Sequence, residues 1–194
     1  GNIGRIFQDN NGDIFYNVSY DLFSKFQSND VRRRVGALIE PGSTQFNWKV
    51  GKYSGPDTDY GLADIKVVRV AEMYLILSEA QALKDAPDFT AAADAINQLR
   101  ASRRLTTSAL PNLTFSDRAD AIDKILLERR KELAFEGHRF FDLKRFNLGI
   151  DRIPTDVVLN PTAENLLPGD YRFTLPIPQA AIFANDKLTQ NPTY

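Results

Sequence analysis

Apolar residues recur at helical spacing through the middle of the chain. In residues 66–84, Val70, Tyr74 and Leu77 repeat every three or four positions, and further apolar side chains leave only a narrow charged strip. This pattern predicts a helix with neighbours on two sides. Residues 90–104 carry a stripe of small side chains that permits close helix packing. The two segments together have the length of one tetratricopeptide-like helix pair.

Weaker patterns predict the other elements. They are a short amphipathic helix at residues 19–28, a third helix from Ser116 to Gly137, a short helix at 138–147 and a strand at 171–175. The chain is therefore divided into a loop-rich segment (1–65), a helical core (66–147) and an extended C-terminal segment (148–194). We expect a mainly α fold with long loops and a little β structure.

The third helix places charges on its apolar face. Arg129 and Glu136 fall in the middle of that face, Glu132 lies at its edge, and Arg139 follows the helix. Ionised groups on a buried face need partners, so we favour an ion network of the two arginines with the two glutamates. The alternative is that Glu132 and Glu136 act as acid and base in sugar hydrolysis.

Composition removes several classes of function. The 24 basic and 25 acidic side chains nearly cancel, which argues against binding to nucleic acid. No apolar run reaches the length of a membrane span. The absence of cysteine and the single histidine, His138, argue against thiolate or two-histidine metal sites. We expect no metal, no cofactor and no catalytic activity.

One loop-like stretch, residues 41–60, contains clustered aromatic residues. Trp48, Tyr53 and Tyr60 are candidates for stacking against the apolar face of a sugar ring. Large aromatic side chains more often bury their area, so packing of these rings onto the core is the favoured alternative.

Five motifs resemble the C-terminal half of the SusD/RagB family. They are Arg69-x-Ala71-Glu72-x-Tyr74-Leu75, Ala95-Ile96-Asn97-x-x-Arg100, the segment from Glu128-Arg129-Arg130 to Asp142-Leu143-x-Arg145, Pro176-Ile177-Pro178, and Gln190-Asn191-Pro192-x-Tyr194. Asp30-x-Arg32 and Lys52-Tyr53 also fit the family pattern. The resemblance implies tetratricopeptide-like helix pairs. We expect the chain to be part of a longer protein whose N-terminal half carries the lipid anchor.

The resemblance also implies a function. Family members are surface-exposed lipoproteins of the Bacteroidetes outer membrane that bind glycans without cleaving them, and deliver them to a SusC-like TonB-dependent transporter. We therefore expect binding of an oligo- or polysaccharide. The alternative is a protein-interaction module that contacts the transporter or a peptide and binds no sugar. A glycosidase ranks last.

Overall fold

A computed structural model gives the fold. It describes residues 6–7, 15–34, 50–53, 63–105, 109–157 and 165–194. Within these ranges the structure is mainly helical, with one two-stranded sheet. Among the described residues, no helix combines the length and the hydropathy that are needed to cross a bilayer. The chain forms two compact units, Gly1–Arg139 and Phe140–Tyr194, and the predicted division at residues 65 and 147 stays a prediction.

The helices follow the predicted order. Their bounds are α1 Tyr20–Ser24, α2 Val31–Arg34, α3 Val70–Leu83, α4 Phe89–Ala101, α5 Arg118–Glu132, α6 His138–Arg145 and α7 Gln179–Ala184. Side chains cap several of the described helices by accepting backbone N–H groups, as Ser19 does for α1, Asp88 for α4 and Asp117 for α5.

The core of the first unit lies between α3, α4 and α5. Leu75, Ile96 and Ile125 are fully buried there, one from each helix. Buried alanines on facing turns let α3 and α4 approach closely, and the Ser78 hydroxyl donates to the Ala92 carbonyl at 2.7 Å. The predicted helix pair is therefore present in the structure.

A second apolar cluster joins the N-terminal part of this unit to the end of α5. It consists of Val18, Leu22, Phe26, Val50, Tyr53 and Ala134. The short 3₁₀ turn Gly51–Tyr53 supplies one side of this cluster. The cluster fixes residues 50–53 beside the end of α5.

The third helix ends earlier than predicted. The pattern indicates a helix that continues to Gly137, whereas α5 ends at Glu132 and the next residues form turns. Phe135 and Gly137 both adopt positive φ angles, 64° and 86°. A left-handed residue ends helical hydrogen bonding, so the chain turns here before α6 begins.

The second unit contains a short antiparallel pair, β1 (Ile150–Asp151) and β2 (Asn165–Leu166). Gly149 is needed beside it, because a Cβ at this position would lie 2.5 Å from the Leu166 carbonyl oxygen. The prediction of a strand at 171–175 is wrong. Residues Tyr171–Phe173 form a 3₁₀ turn instead. The Asp170 carboxylate accepts the Arg172 N–H at 2.9 Å, and this local bond favours a turn over a strand.

Candidate functional site

The most distinctive feature of the described residues is a buried cluster of charges along α5. We call it the charge cluster. Three glutamates four residues apart, two on α5 and one in the turns after it, and one aspartate meet cations from four other segments. The acidic residues are Glu128, Glu132, Glu136 and Asp30, and the cations are Arg32, Lys52, Arg69, Arg100 and Arg103.

Glu132 is the centre of the charge cluster. Its carboxylate accepts hydrogen bonds from Arg32 at 3.0 Å, Arg69 at 2.8 Å and Arg103 at 2.9 Å through both Nε and Nη2. The side chain is 3% exposed. Burial alone would raise the pKa of this carboxyl, but hydrogen bonds from Arg103 and the nearby charges lower it to about 2. Glu132 is therefore ionised at neutral pH.

Arg32 links Glu132 to the two other buried carboxylates. Its Nη2 atom lies 2.7 Å from both Asp30 Oδ2 and Glu128 Oε1. Glu128 also accepts a hydrogen bond from Arg100 Nη1 at 2.6 Å. Burial opposes ionisation of Glu128, yet these cations lower its pKa. Burial likewise opposes the charge of Arg32, and the acidic partners raise its pKa. This part of the cluster is fully ionic.

The third glutamate, Glu136, lies in the turns that follow α5. Arg69 donates to Glu136 through Nε at 3.1 Å and Nη2 at 2.8 Å, and Lys52 forms an ion pair with the same carboxylate. The Lys52 ammonium also donates to the carbonyl oxygens of Glu132 at 2.8 Å and Ala134 at 3.1 Å. Two cations thus compensate the negative end of the helix dipole. Burial lowers the pKa of Lys52 to about 8 despite Glu136.

The sequence predicts Arg129 and Arg139 as the partners of Glu132 and Glu136. Arg129 is buried and Arg139 is half-buried, and both make interactions of their own. The cations described above as bonded to Glu132 and Glu136 come instead from residues far along the chain. The specific pairing of Arg129 and Arg139 with these glutamates stays a prediction.

The charge cluster is chemically unsuited to acid catalysis at Glu132. A general acid must hold a proton near neutral pH, whereas three guanidiniums keep this carboxylate ionised. In the part of the chain that the structure describes, no group of three or more His, Asp or Glu residues could hold a metal ion. The arrangement is a network of buried ion pairs.

The three candidate sugar-stacking residues differ in what the structure says of them. Trp48 and Tyr60 lie outside the described residues. Tyr53 is 1% exposed, its ring stacks on Phe7 at a centroid distance of 5.7 Å, and its hydroxyl donates to the Phe135 carbonyl at 3.3 Å. A ring buried in this way presents no face to a sugar, so Tyr53 holds residues 50–53 against the end of α5.

Most cations of the charge cluster were visible in the sequence as motif residues, although not as partners of the glutamates. Arg32, Lys52, Arg69 and Arg100 each stand in a segment that resembles the SusD/RagB pattern. Arg103 carried no such signal. A helical wheel shows which charges share one helix face, but it cannot show which distant segment packs there.

Comparison with known proteins decides the family. The sequence model of the SusD family matches residues 42–194, which is most of the chain. The chain belongs to the SusD family. Among curated relatives of this SusD-family chain, SusD-like protein P38 from Formosa agariphila is 26% identical over 194 residues, covering 98% of the chain and 35% of P38.

Solved structures show the same fold as this SusD-family chain. A SusD superfamily protein from Bacteroides thetaiotaomicron superposes with a TM-score of 0.65 at 29% identity, covering 89% of the chain and 39% of that protein. A SusD-like carbohydrate binding protein from Bacteroides vulgatus gives 0.64 at 25% identity, covering 94% and 43%. The SusD-family chain thus spans less than half of the length of these relatives.

Proposed function

We propose that the chain is part of a SusD-like protein that binds glycans without cleaving them and delivers an oligosaccharide to a SusC-like TonB-dependent transporter. The observation that carries the proposal is the family match across residues 42–194. The similar fold of a protein named as carbohydrate binding supports the same role. Because the chain spans 35% of P38, the proposal concerns the whole protein.

The proposed ligand contacts lie in residues 46–60. Trp48 and Tyr60 supply aromatic faces on which the C–H side of a pyranose ring can pack. Between them, Tyr53 is buried and Lys52 is bonded to the end of α5. Residues 50–53 are therefore held against the end of α5, and order in this part of the chain reduces the entropy that ligand binding would otherwise cost.

A binding role without catalysis is consistent with the chemistry of the charge cluster. The carboxylates of Glu128 and Glu132 are held ionised by arginines, which leaves neither as a proton donor. The proposed location, which follows from the family, is the surface of the outer membrane, where the protein would be a lipoprotein. The 194 residues include no cysteine, so a lipidated cysteine is not among them.

A fluorescence titration tests glycan binding. Trp48 is the single tryptophan of the 194 residues, so the emission of this chain by itself reports on residues near position 48. Soluble polysaccharides and oligosaccharides are added to folded protein, and one glycan is expected to give a saturable shift. Tyr60→Ala should weaken that binding about tenfold, since stacking contacts contribute on the order of 1 kcal/mol.

The matched control is Tyr16→Ala, which removes an aromatic ring that is 62% exposed elsewhere in the same unit. Its affinity should equal that of the unaltered protein. If no glycan binds to the full-length protein, by fluorescence or by calorimetry, the proposed function is wrong. If Tyr16→Ala weakens binding as much as Tyr60→Ala does, the proposed contact residues are wrong.

A further inference from the structure

Two aromatic rings meet at right angles on the surface of the second unit. The rings of Tyr171 and Tyr194 pack edge to face, with a centroid distance of 5.0 Å and an angle of 74° between their planes. The two residues are 45% and 46% exposed. An edge-to-face contact covers only part of each ring, so both rings keep apolar surface open to solvent. We call this pair the tyrosine corner.

Hydrogen bonds from the preceding residues hold Tyr194 in place. The Gln190 amide donates to the Ile177 carbonyl at 2.9 Å and accepts the Ile177 N–H at 2.8 Å. The Asn191 side chain donates to the Leu175 carbonyl at 2.8 Å. These bonds fix two segments of the chain beside each other. The rings are thus arranged before a ligand arrives, which lowers the entropic cost of binding.

An ion pair lies beside the Tyr171 ring. The Asp170 carboxylate accepts the Arg172 backbone N–H at 2.9 Å, Nε at 2.8 Å and Nη2 at 2.9 Å. The guanidinium carbon of Arg172 is 5.9 Å from the centre of the Tyr171 ring. The hydrogen bonds from Arg172 lower the pKa of Asp170 to about 2, so the pair is ionised at neutral pH and its two charges cancel.

The ion pair keeps hydrogen-bonding capacity for a ligand. The Arg172 side chain is 47% exposed, and its bonds to Asp170 use Nε and Nη2 but not Nη1. A carboxylate has about four acceptor positions, and three bonds to Arg172 do not fill them. The pair therefore offers N–H donors and carboxylate acceptors side by side, without a net charge.

These groups match the chemistry of a neutral sugar ring. A pyranose has an apolar C–H face that packs on aromatic rings, and hydroxyl groups that both donate and accept hydrogen bonds. Arg172 can donate to one hydroxyl while Asp170 accepts from the next. A carboxylated or sulfated sugar is disfavoured, because the Asp170 carboxylate already neutralises the guanidinium and repels a second anion.

We infer that the tyrosine corner and the Asp170–Arg172 pair together form a binding site for one neutral pyranose unit of the glycan. The inference rests on the proposed function and deepens it, because it names a further contact region and a class of sugar. It is carried by residues of the second unit alone, and is independent of the contacts proposed in residues 46–60.

Calorimetric titration of the full-length protein tests this site. The probes are neutral oligosaccharides of glucose, galactose, mannose and xylose, and the one that binds most tightly is used for every variant. Tyr171→Ala and Tyr194→Ala each remove one ring of the tyrosine corner. Each should weaken binding about fivefold, the effect of losing one aromatic contact of about 1 kcal/mol.

The matched control is Phe183→Ala, which removes an aromatic ring that is 80% exposed in the same unit. Its affinity should equal that of the unaltered protein. Circular dichroism establishes that each variant is folded. An equal loss of affinity in Phe183→Ala would overturn the inference, because it would indicate an unspecific apolar surface.

Asp170→Asn tests the preference for neutral sugars without removing a ring. The amide oxygen can still accept the Arg172 N–H, so the turn is retained while the guanidinium loses its counter-charge. At low ionic strength, the affinity for oligogalacturonate relative to the neutral probe should rise about fivefold, as expected for two unit charges about 4 Å apart in water. An unchanged ratio would overturn the assignment of a neutral sugar.

The outcomes separate this inference from the proposed function. If no glycan binds to the unaltered full-length protein, the proposed function is wrong and the site is refuted with it. If a glycan binds and both tyrosine variants keep full affinity for it, only the site at the tyrosine corner is refuted.

Discussion

Glu132→Gln is the most informative single substitution in the charge cluster. It keeps the size of the side chain and removes the negative charge that Arg32, Arg69 and Arg103 share. Breaking a buried ion pair from one side costs about 3–5 kcal/mol. Because Arg69 and Arg103 are 23% and 24% exposed, water partly compensates them, which places the expected loss near about 3 kcal/mol.

The lowered pKa of Glu132 arises from the same contacts and agrees with this magnitude. Its fall from 4.5 to about 2 corresponds to about 3 kcal/mol in favour of the ionised form. The assay is urea unfolding at pH 7, followed by circular dichroism, with the free energy of unfolding extrapolated to water.

The matched control is Asp21→Asn, the same change from carboxylate to amide. Asp21 pairs with Arg130 of α5 at 2.7 Å, but both side chains are about a quarter exposed, so the loss should be under about 1 kcal/mol. If Glu132→Gln costs no more than this control, the charge cluster does not stabilise the fold and the reasoning from burial is refuted.

Two further predictions concern pH and backbone conformation. Between pH 4.5 and about 2, Glu132 binds a proton more readily in the unfolded chain than in the folded one, so acidification through this range should remove the stability of about 3 kcal/mol that Glu132 contributes. The urea midpoints at pH 7 and pH 3 should therefore differ less in Glu132→Gln than in the unaltered protein. Equal differences in the two proteins would contradict the assignment. Gly137→Ala should cost about 1 kcal/mol through its φ of 86° alone, since no atom crowds the new Cβ, whereas Gly149→Ala should cost more because its Cβ meets the Leu166 carbonyl at 2.5 Å. Thermal unfolding ranks the two, and the reverse order would be inconsistent with this packing.

Helices with strong stripes were predictable from the sequence alone. The stripes of residues 66–84 and 90–104 correspond to α3 Val70–Leu83 and α4 Phe89–Ala101. Apolar periodicity indicates the buried face directly, so the existence of these helices followed from it. The ends of helices depend on contacts with other parts of the structure. The apolar pattern therefore did not predict that α5 ends at Glu132 rather than at Gly137.

The prediction of a strand at 171–175 is wrong because a local hydrogen bond favours a turn there. Alternating side chains indicate an extended segment, but the carboxylate of Asp170 captures the N–H of Arg172 and starts a turn. Of the charge cluster, only the glutamates could be predicted from the sequence, and their partners could not. Glu132 and Glu136 stood out as charges on an apolar face, while their partner Arg32 comes from 100 positions earlier than Glu132. No local pattern contains a pairing of that range.

The charge cluster also constrains the route by which the first unit folds. Helices α3, α4 and α5 are consecutive, so their core can assemble through short connections. Arg32 and Lys52 must then close loops of about 80 to 100 residues to reach α5. Until they arrive, the glutamates of the charge cluster are paired, among the cations of the cluster, only with those from the α3 and α4 region, Arg69, Arg100 and Arg103. Docking of the N-terminal segment is therefore the step that adds the last two cations of the charge cluster and completes the cooperative unit.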